Sequence, residues 1–273
     1  MKSLFVLAQM EASPDADENL EKAAQAVKEA ATFYHGDMII FPEVYMDGHP
    51  GGTPKEQILF TAQNLSGTFV RGMQELAKTY HIWIVFGMTE PSPSDHDCRT
   101  FNTTVILDSE GNIVKTYHKT HMYDAFGVRE SDTFLPGDEL FSPIDTPFGR
   151  IGLFVCYELR FPEIARIQAL QGAEILIVPA AWNKGELKSS HWKTLLSARA
   201  LENTLFVIGC DLYSRDTYMG ESMVADPMGV SIVCAGEGSC LIPCYIDTDR
   251  IYEVRQKLSC LENRRSELYR KLV

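Results

Sequence analysis

The sequence predicts an α/β protein in which sheets are covered by helices. Three observations carry that prediction. Short runs at 3–9, 37–41, 82–87, 150–155, 174–178 and 205–210 are apolar on both faces, the pattern of strands buried on both sides. Longer amphipathic stretches alternate with several of them in a β-α-β rhythm, which favours parallel strands and right-handed crossovers. Hairpin signals interrupt the rhythm twice, so antiparallel pairs join the parallel ones.

The elements follow in order. Residues 3–9 form a buried strand. A helix spans 14–34, with Asp15 or Asp17 as its cap, Leu20, Ala23, Ala24 and Val27 as its apolar stripe, and Gly36 as its stop. The strand at 37–41 ends at Pro42, which has no amide hydrogen to donate. After a loop rich in Gly and Pro (48–54), residues 69–80 read as helix and 82–87 as strand. A hairpin over 103–107 and 113–118 turns at Asp108-Ser109-Glu110-Gly111-Asn112. Residues 122–147 hold little regular pattern, and loops of that length are often functional.

The β-α-β rhythm then returns. Strand 150–155, helix 162–171, strand 174–178, helix 189–202 and strand 205–210 succeed one another. Strands 222–225 and 230–234 flank the turn Asp226-Pro227-Met228-Gly229. A last strand at 239–246 precedes a helix from about Asp249. With no internal repeat and no linker-like shift, residues 1–273 read as a single domain.

Composition narrows the function. Of 273 residues, 45% are hydrophobic, enough for a sizeable core. A net charge of −12 disfavours a phosphate-tracking nucleic-acid binder. No window approaches the roughly 18 apolar residues of a membrane span, and the N-terminal apolar run is too short for a signal peptide. The seven cysteines are odd in number and irregular in spacing, which points to reduced thiols in a cytoplasmic protein. No second Cys or His pair completes a zinc site around Cys240 and Cys244, and His118 and His121 lack further ligands at matching spacing, so no metal is expected.

Three segments place a reactive group immediately after a buried strand: Phe41-Pro42-Glu43, Tyr117-His118-Lys119 and Val155-Cys156-Tyr157. Ligands bind beyond the carboxyl ends of strands in α/β sheets, so the three can converge. Cys156 lies at a strand–turn–helix elbow before Pro162, where a helix N-terminus and a cation would lower a thiol pKa. Glu43 is a candidate base for that thiol and Lys119 a candidate stabiliser of an oxyanion. Taken singly, each has a commoner structural role: a small buried hydrophobe, a surface salt bridge, a solvated lysine. Nothing local singles out Glu130 in its irregular segment.

Jointly, these segments resemble the nitrilase, or carbon–nitrogen hydrolase, superfamily. The resemblance rests on the three segments above, extended to Thr120-His121 and to Glu158-Leu159-Arg160-Phe161-Pro162-Glu163. It also rests on Glu130-Ser131-Asp132 before Pro136-Gly137, His191-Trp192 with Ala198-Arg199-Ala200-Leu201-Glu202-Asn203, and Ser222 to Gly229. It implies a four-layer α-β-β-α sandwich with two mixed sheets, usually dimerised across one helical layer. It implies a Glu43–Lys119–Cys156 triad, with Glu130 near the active site positioning substrate or Lys119, the Tyr157 amide assisting the oxyanion, and no cofactor.

Details narrow the resemblance. Nitrile-cleaving members place Trp after the nucleophile, whereas Tyr157 stands here. Carbamoyl-amino-acid hydrolases carry two adjacent arginines, whereas Leu159-Arg160 stands here. Glu158 occupies a position where Asp is more usual. The stretch 254–269 looks like the ω-amidase and deaminated-glutathione amidase branches. The expectation is hydrolysis of a small linear carboxamide to carboxylate and ammonia, an ω-amide of a dicarboxylic acid being one candidate. The alternative is an N-carbamoyl amide hydrolase releasing carbon dioxide and ammonia. Tyr157, Trp182 and Asn183 are candidate substrate contacts, and Tyr45, Met46, Tyr123 and Phe126 a candidate apolar wall.

Overall fold

The structure, a computed structural model, describes residues 2–49, 53–94 and 98–269. The first half runs β1 (Lys2–Gln9), α1 (Ala16–Thr32), β2 (Met38–Ile40), α2 (Lys55–Thr61), α3 (Thr68–Tyr80), β3 (Trp83–Pro91), β4 (Thr100–Leu107) and β5 (Ile113–His118). Four short strands follow: β6 (Asp124–Ala125), β7 (Val128–Arg129), β8 (Phe134–Leu135) and β9 (Ile144–Thr146). The second half runs β10 (Gly149–Leu153), α4 (Pro162–Leu170), β11 (Ile175–Ala180), α5 (Lys188–Asn203), β12 (Phe206–Asp211), β13 (Met223–Ala225), β14 (Ser231–Cys234), β15 (Cys240–Asp247), α6 (Asp249–Lys257) and α7 (Ser266–Tyr269).

Two mixed sheets result. The first has the order β15-β1-β2-β3-β4-β5, with β8 added beside β4. Strands β1, β2 and β3 are parallel, and the flanking pairs are antiparallel. The second has the order β14-β13-β12-β11-β10-β9, with β10, β11 and β12 parallel.

The period-2 alternation of β1 shows why the sheets stack. Phe5 and Leu7 face one way, into a core shared with Leu153, Ile175 and Ile177 of the second sheet. Val6 and Ala8 face the other way, into a second core with Ala23 and Val27 of α1 and Val70 and Met73 of α3. Helices α4 and α5 cover the far face of the second sheet through Ile164, Ala165, Trp192 and Leu196. The four layers are thus α1/α3, first sheet, second sheet and α4/α5, as the resemblance implied.

Local differences have physical causes. The buried stripe of α1 runs through Ala23, Ala26, Val27 and Ala30, while Leu20 and Ala24 lie at its margin. Asp15 caps this helix through the amides of Asp17 and Glu18. Helix α2 was not anticipated; it is short and opens after Pro54 in a segment rich in turn residues. The irregular stretch 122–147 contains a hairpin of β6 and β7 whose turn, Phe126-Gly127, takes positive φ at both residues. Two-residue hairpin turns of that kind match the twist of the flanking strands.

Candidate active site

Glu43 leaves β2 through Pro42 and is almost fully buried. Its backbone runs so close to β3 that only glycine fits opposite: a Cβ at Gly87 would lie 2.8 Å from the Glu43 Cα. The carboxylate is held from three sides. The Asn102 side-chain amide donates to Oε1 at 2.7 Å, the Ala181 N–H donates to Oε2 at 2.7 Å, and the Lys119 ammonium donates to Oε1 at 2.8 Å.

Lys119 follows β5, its backbone pinned by Lys119 N–H to the Asn102 carbonyl and by Gly137 N–H to its own carbonyl. Its side chain is 2% exposed, a burial that is costly for an ammonium without counter-charges. Glu130 supplies the second counter-charge, with both oxygens 2.9 Å from Nζ. Burial alone would depress this lysine. The carboxylates of Glu130 and Glu43 outweigh it and hold its pKa well above the ordinary lysine range. Glu130 itself sits on a 3₁₀ turn, where Oε2 accepts the Tyr123 N–H at 2.5 Å.

Cys156 stands three residues beyond β10 and opens a 3₁₀ turn with φ 49°, a left-handed conformation that L side chains rarely adopt. Strain of this kind concentrates at functional positions. The structure corrects the expectation of a lowered thiol pKa. Burial and the charge of Glu43 push the Cys156 thiol well above its ordinary range, and Lys119 only partly opposes them. The helix opens at Pro162 as the sequence predicts, with a 3₁₀ turn at Cys156–Arg160 between it and the thiol. Burial and the Glu43 charge favour a neutral thiol beside that carboxylate over a free thiolate.

Glu158 links the elbow to the lysine segment. It is fully buried and accepts the Val155 N–H at 2.7 Å through Oε2. Through Oε1 it accepts the Thr120 N–H at 2.9 Å, the Tyr117 hydroxyl at 2.8 Å and the Thr120 hydroxyl at 2.5 Å. Burial would raise its pKa, but these bonds and the contact with His121 hold it below the ordinary range. The side chain that stands where Asp is more usual thus ties the Cys156 elbow to the Lys119 segment.

The other expected contacts divide. Tyr157 packs edge-on against Tyr123 and Phe161. Trp182, buried, lies beneath the Arg160 guanidinium at 4.8 Å; its backbone N–H donates to Asp211 and its indole N–H to the Lys188 carbonyl. Asn183 pairs through its backbone with Tyr218. Tyr45 and Met46 do not form an apolar wall; both are fully buried in the core under α1, where Tyr45 packs on Phe41. Phe126 is exposed at its hairpin tip. His118 and His121 turn to different carboxylates, Glu90 and Glu158. Among the described residues no group of three or more His, Cys, Asp or Glu side chains is placed to hold a metal ion.

Sequence reasoning missed Asn102 and the Ala181 amide, both of which hold Glu43. Asn102 carried a signal, being an amide side chain within an otherwise β-forming run, Phe101-Asn102-Thr103-Thr104. The arrangement unites a thiol, a carboxylate in contact with it and a buried ammonium, the parts of nucleophilic attack on a carbonyl.

Fold and site together define a carbon–nitrogen hydrolase. Residues 6–256 match the Carbon-nitrogen hydrolase family, and the chain belongs to it. The human deaminated glutathione amidase is 34% identical over 280 residues, covering 97% of this chain and 83% of that protein. The mouse protein named omega-amidase NIT2 is 30% identical over 274 residues, covering 97% and 96%. The crystal structure of Saccharomyces cerevisiae Nit3, of the nitrilase superfamily, superposes with a TM-score of 0.85 at 29% identity, covering 97% of each chain.

Proposed function

We propose that this protein hydrolyses a small linear primary carboxamide to a carboxylate and ammonia, through a thioester on Cys156. The observation that carries the reading is the contact of one carboxylate, Glu43, with both the Cys156 thiol and the Lys119 ammonium. Glu43 takes the thiol proton as Sγ attacks the amide carbon, so no free thiolate need accumulate. The developing oxyanion is held by the Lys119 ammonium and the Tyr157 backbone N–H. Glu43 returns the proton to the nitrogen, the C–N bond breaks, and ammonia leaves. Water then gives a proton to Glu43 and attacks the thioester. The tetrahedral adduct expels the sulfur, which is reprotonated. Glu130 keeps the lysine charged and fixed throughout.

The relatives named deaminated glutathione amidase and omega-amidase favour an ω-amide of a dicarboxylic acid as substrate. Residues 1–273 act as one catalytic domain in the cytoplasm. Two copies associate through the α4/α5 layer, where Ile167, Leu170 and Leu201 are exposed apolar residues. Gel filtration giving only a monomer would refute that association.

The deciding experiment compares wild type with Cys156→Ala. Wild type should release ammonia from a panel of ω-amides and gain the mass of the acyl group on Cys156 in intact-mass spectrometry. Cys156→Ala should do neither while keeping its circular dichroism. Ammonia release retained by the variant sinks the reading, and carbon dioxide release from carbamoyl compounds would favour the N-carbamoyl alternative.

A further inference from the structure

Lys188 is the first residue of α5 and only 8% exposed. Its ammonium donates to the Tyr123 hydroxyl at 2.8 Å. The rings of Phe126, Tyr123 and Trp182 stand 4.4, 5.0 and 5.8 Å from Nζ. Among the described residues, no Asp or Glu oxygen lies within ion-pair distance of it. Lys119, by contrast, meets two carboxylates. Position adds to the cost, since a helix's first turn is its positive end and disfavours a cation, and no side chain caps α5. Aromatic faces and one neutral hydroxyl offset only part of the lost hydration.

Two of the groups around this ammonium, Tyr123 and Trp182, are joined to the cluster around Cys156. The Tyr123 N–H is bound by Glu130, and its ring packs on Tyr157, the neighbour of Cys156. Trp182 follows Ala181, whose N–H holds Glu43. Phe126 is 76% exposed at the tip of the β6–β7 hairpin, so the cation lies behind a surface aromatic.

We infer that Lys188 is a specificity-determining residue whose ammonium receives a carboxylate carried by the acyl part of the substrate. The ligand class is a linear acid with one carboxyl end at Lys188 and the amide, or the product carboxylate, at Cys156. The inference rests on the amidase reading for its catalytic meaning and extends it by naming the group that selects the substrate. A charge-assisted bond to the buried ammonium replaces the neutral contact with Tyr123 and supplies the counter-charge that the protein lacks there.

The test titrates the full-length protein with succinate, glutarate and adipate, and with butyrate, pentanoate and hexanoate as length-matched monocarboxylates, by calorimetry. At least one dicarboxylate should bind tenfold or more tighter than its match. Lys188→Met should erase that advantage, and Lys188→Arg should restore part of it. The corresponding ratio of kcat/KM, for the ω-amide acid over the neutral amide of the same length, should fall tenfold or more in Lys188→Met. A merely structural role would lower both substrates together and leave the ratio unchanged. No dicarboxylate advantage in wild type, or an advantage that survives Lys188→Met, overturns the inference. The amidase reading fails separately, if wild type releases ammonia from none of the amides while the dicarboxylate titration remains dependent on Lys188.

Discussion

Glu158 accepts the backbone N–H of Thr120 at 2.9 Å, joining the turn that carries Cys156 to the segment that carries Lys119. The same carboxylate accepts the Val155 N–H one residue before Cys156. One buried side chain therefore sets the spacing between the thiol and the ammonium, and its loss should affect both folding and chemistry.

Glu158→Ala removes the acceptor for Val155, Thr120 and Tyr117 and leaves buried donors unpaired. Each such loss costs about 1–3 kcal/mol, though neighbouring losses do not simply add. Urea unfolding should show a loss of about 2–4 kcal/mol. Glu158→Asp, shorter by one methylene, cannot span both sides of the link and should fall between alanine and wild type in stability and in kcat. An aspartate variant equal to wild type in both would show that the span is unimportant.

The pH dependence of this link has a definite sign. The folded-state pKa of Glu158 is depressed, so its contribution is present above the unfolded value of about 4.3 and is lost as pH falls through the folded value. The stability difference between wild type and Glu158→Gln should be largest near neutrality and shrink steadily below about pH 4. Urea midpoints from pH 7 to pH 3 measure it, and a difference that grows on acidification contradicts the assignment.

Much of this architecture was legible because buried strands and their stops are local signals. Ile39-Ile40-Phe41 before Pro42 marked both the strand and the exit where Glu43 sits. The cluster around Lys119 was legible only as an expectation from ordered motifs, since Glu130 reaches the ammonium from an irregular loop with no periodicity. The thiol pKa was misjudged for a similar reason. Helix positions can be read from sequence, whereas the burial of Cys156 and the approach of Glu43 are tertiary facts. Tyr45 and Met46 follow Glu43 in sequence, yet the left-handed Val44 turns the chain and sends both into the core.

Glu130→Gln tests how far the second counter-charge matters. It removes one of the two carboxylates on Lys119 and keeps the shape and one acceptor oxygen. The ammonium should then shift toward Glu43, away from the oxyanion of the proposed reaction. Steady-state kinetics should show kcat lowered by about a hundredfold, the range seen when one oxyanion contact is lost, with a smaller change in KM. Equal kcat in wild type and variant would remove Glu130 from the catalytic cluster.

Glu43→Gln should separate thiol reactivity from turnover. Glu43 is both the group that accepts the thiol proton in the proposed reaction and, after burial, the largest influence raising the thiol pKa. Replacing it with a neutral amide leaves Lys119 beside the sulfur and removes the opposing charge, so the thiolate fraction at pH 7.5 should rise. Iodoacetamide should therefore alkylate Cys156 several-fold faster in the variant than in wild type. Turnover should move the other way and fall by about a thousandfold, because no base remains to return the proton to the departing nitrogen. A thiol unreactive in both proteins would mean that access, and not protonation, limits Cys156. A variant that alkylates faster and also turns over normally would show that the sulfur needs no partner, and would remove Glu43 from the reaction.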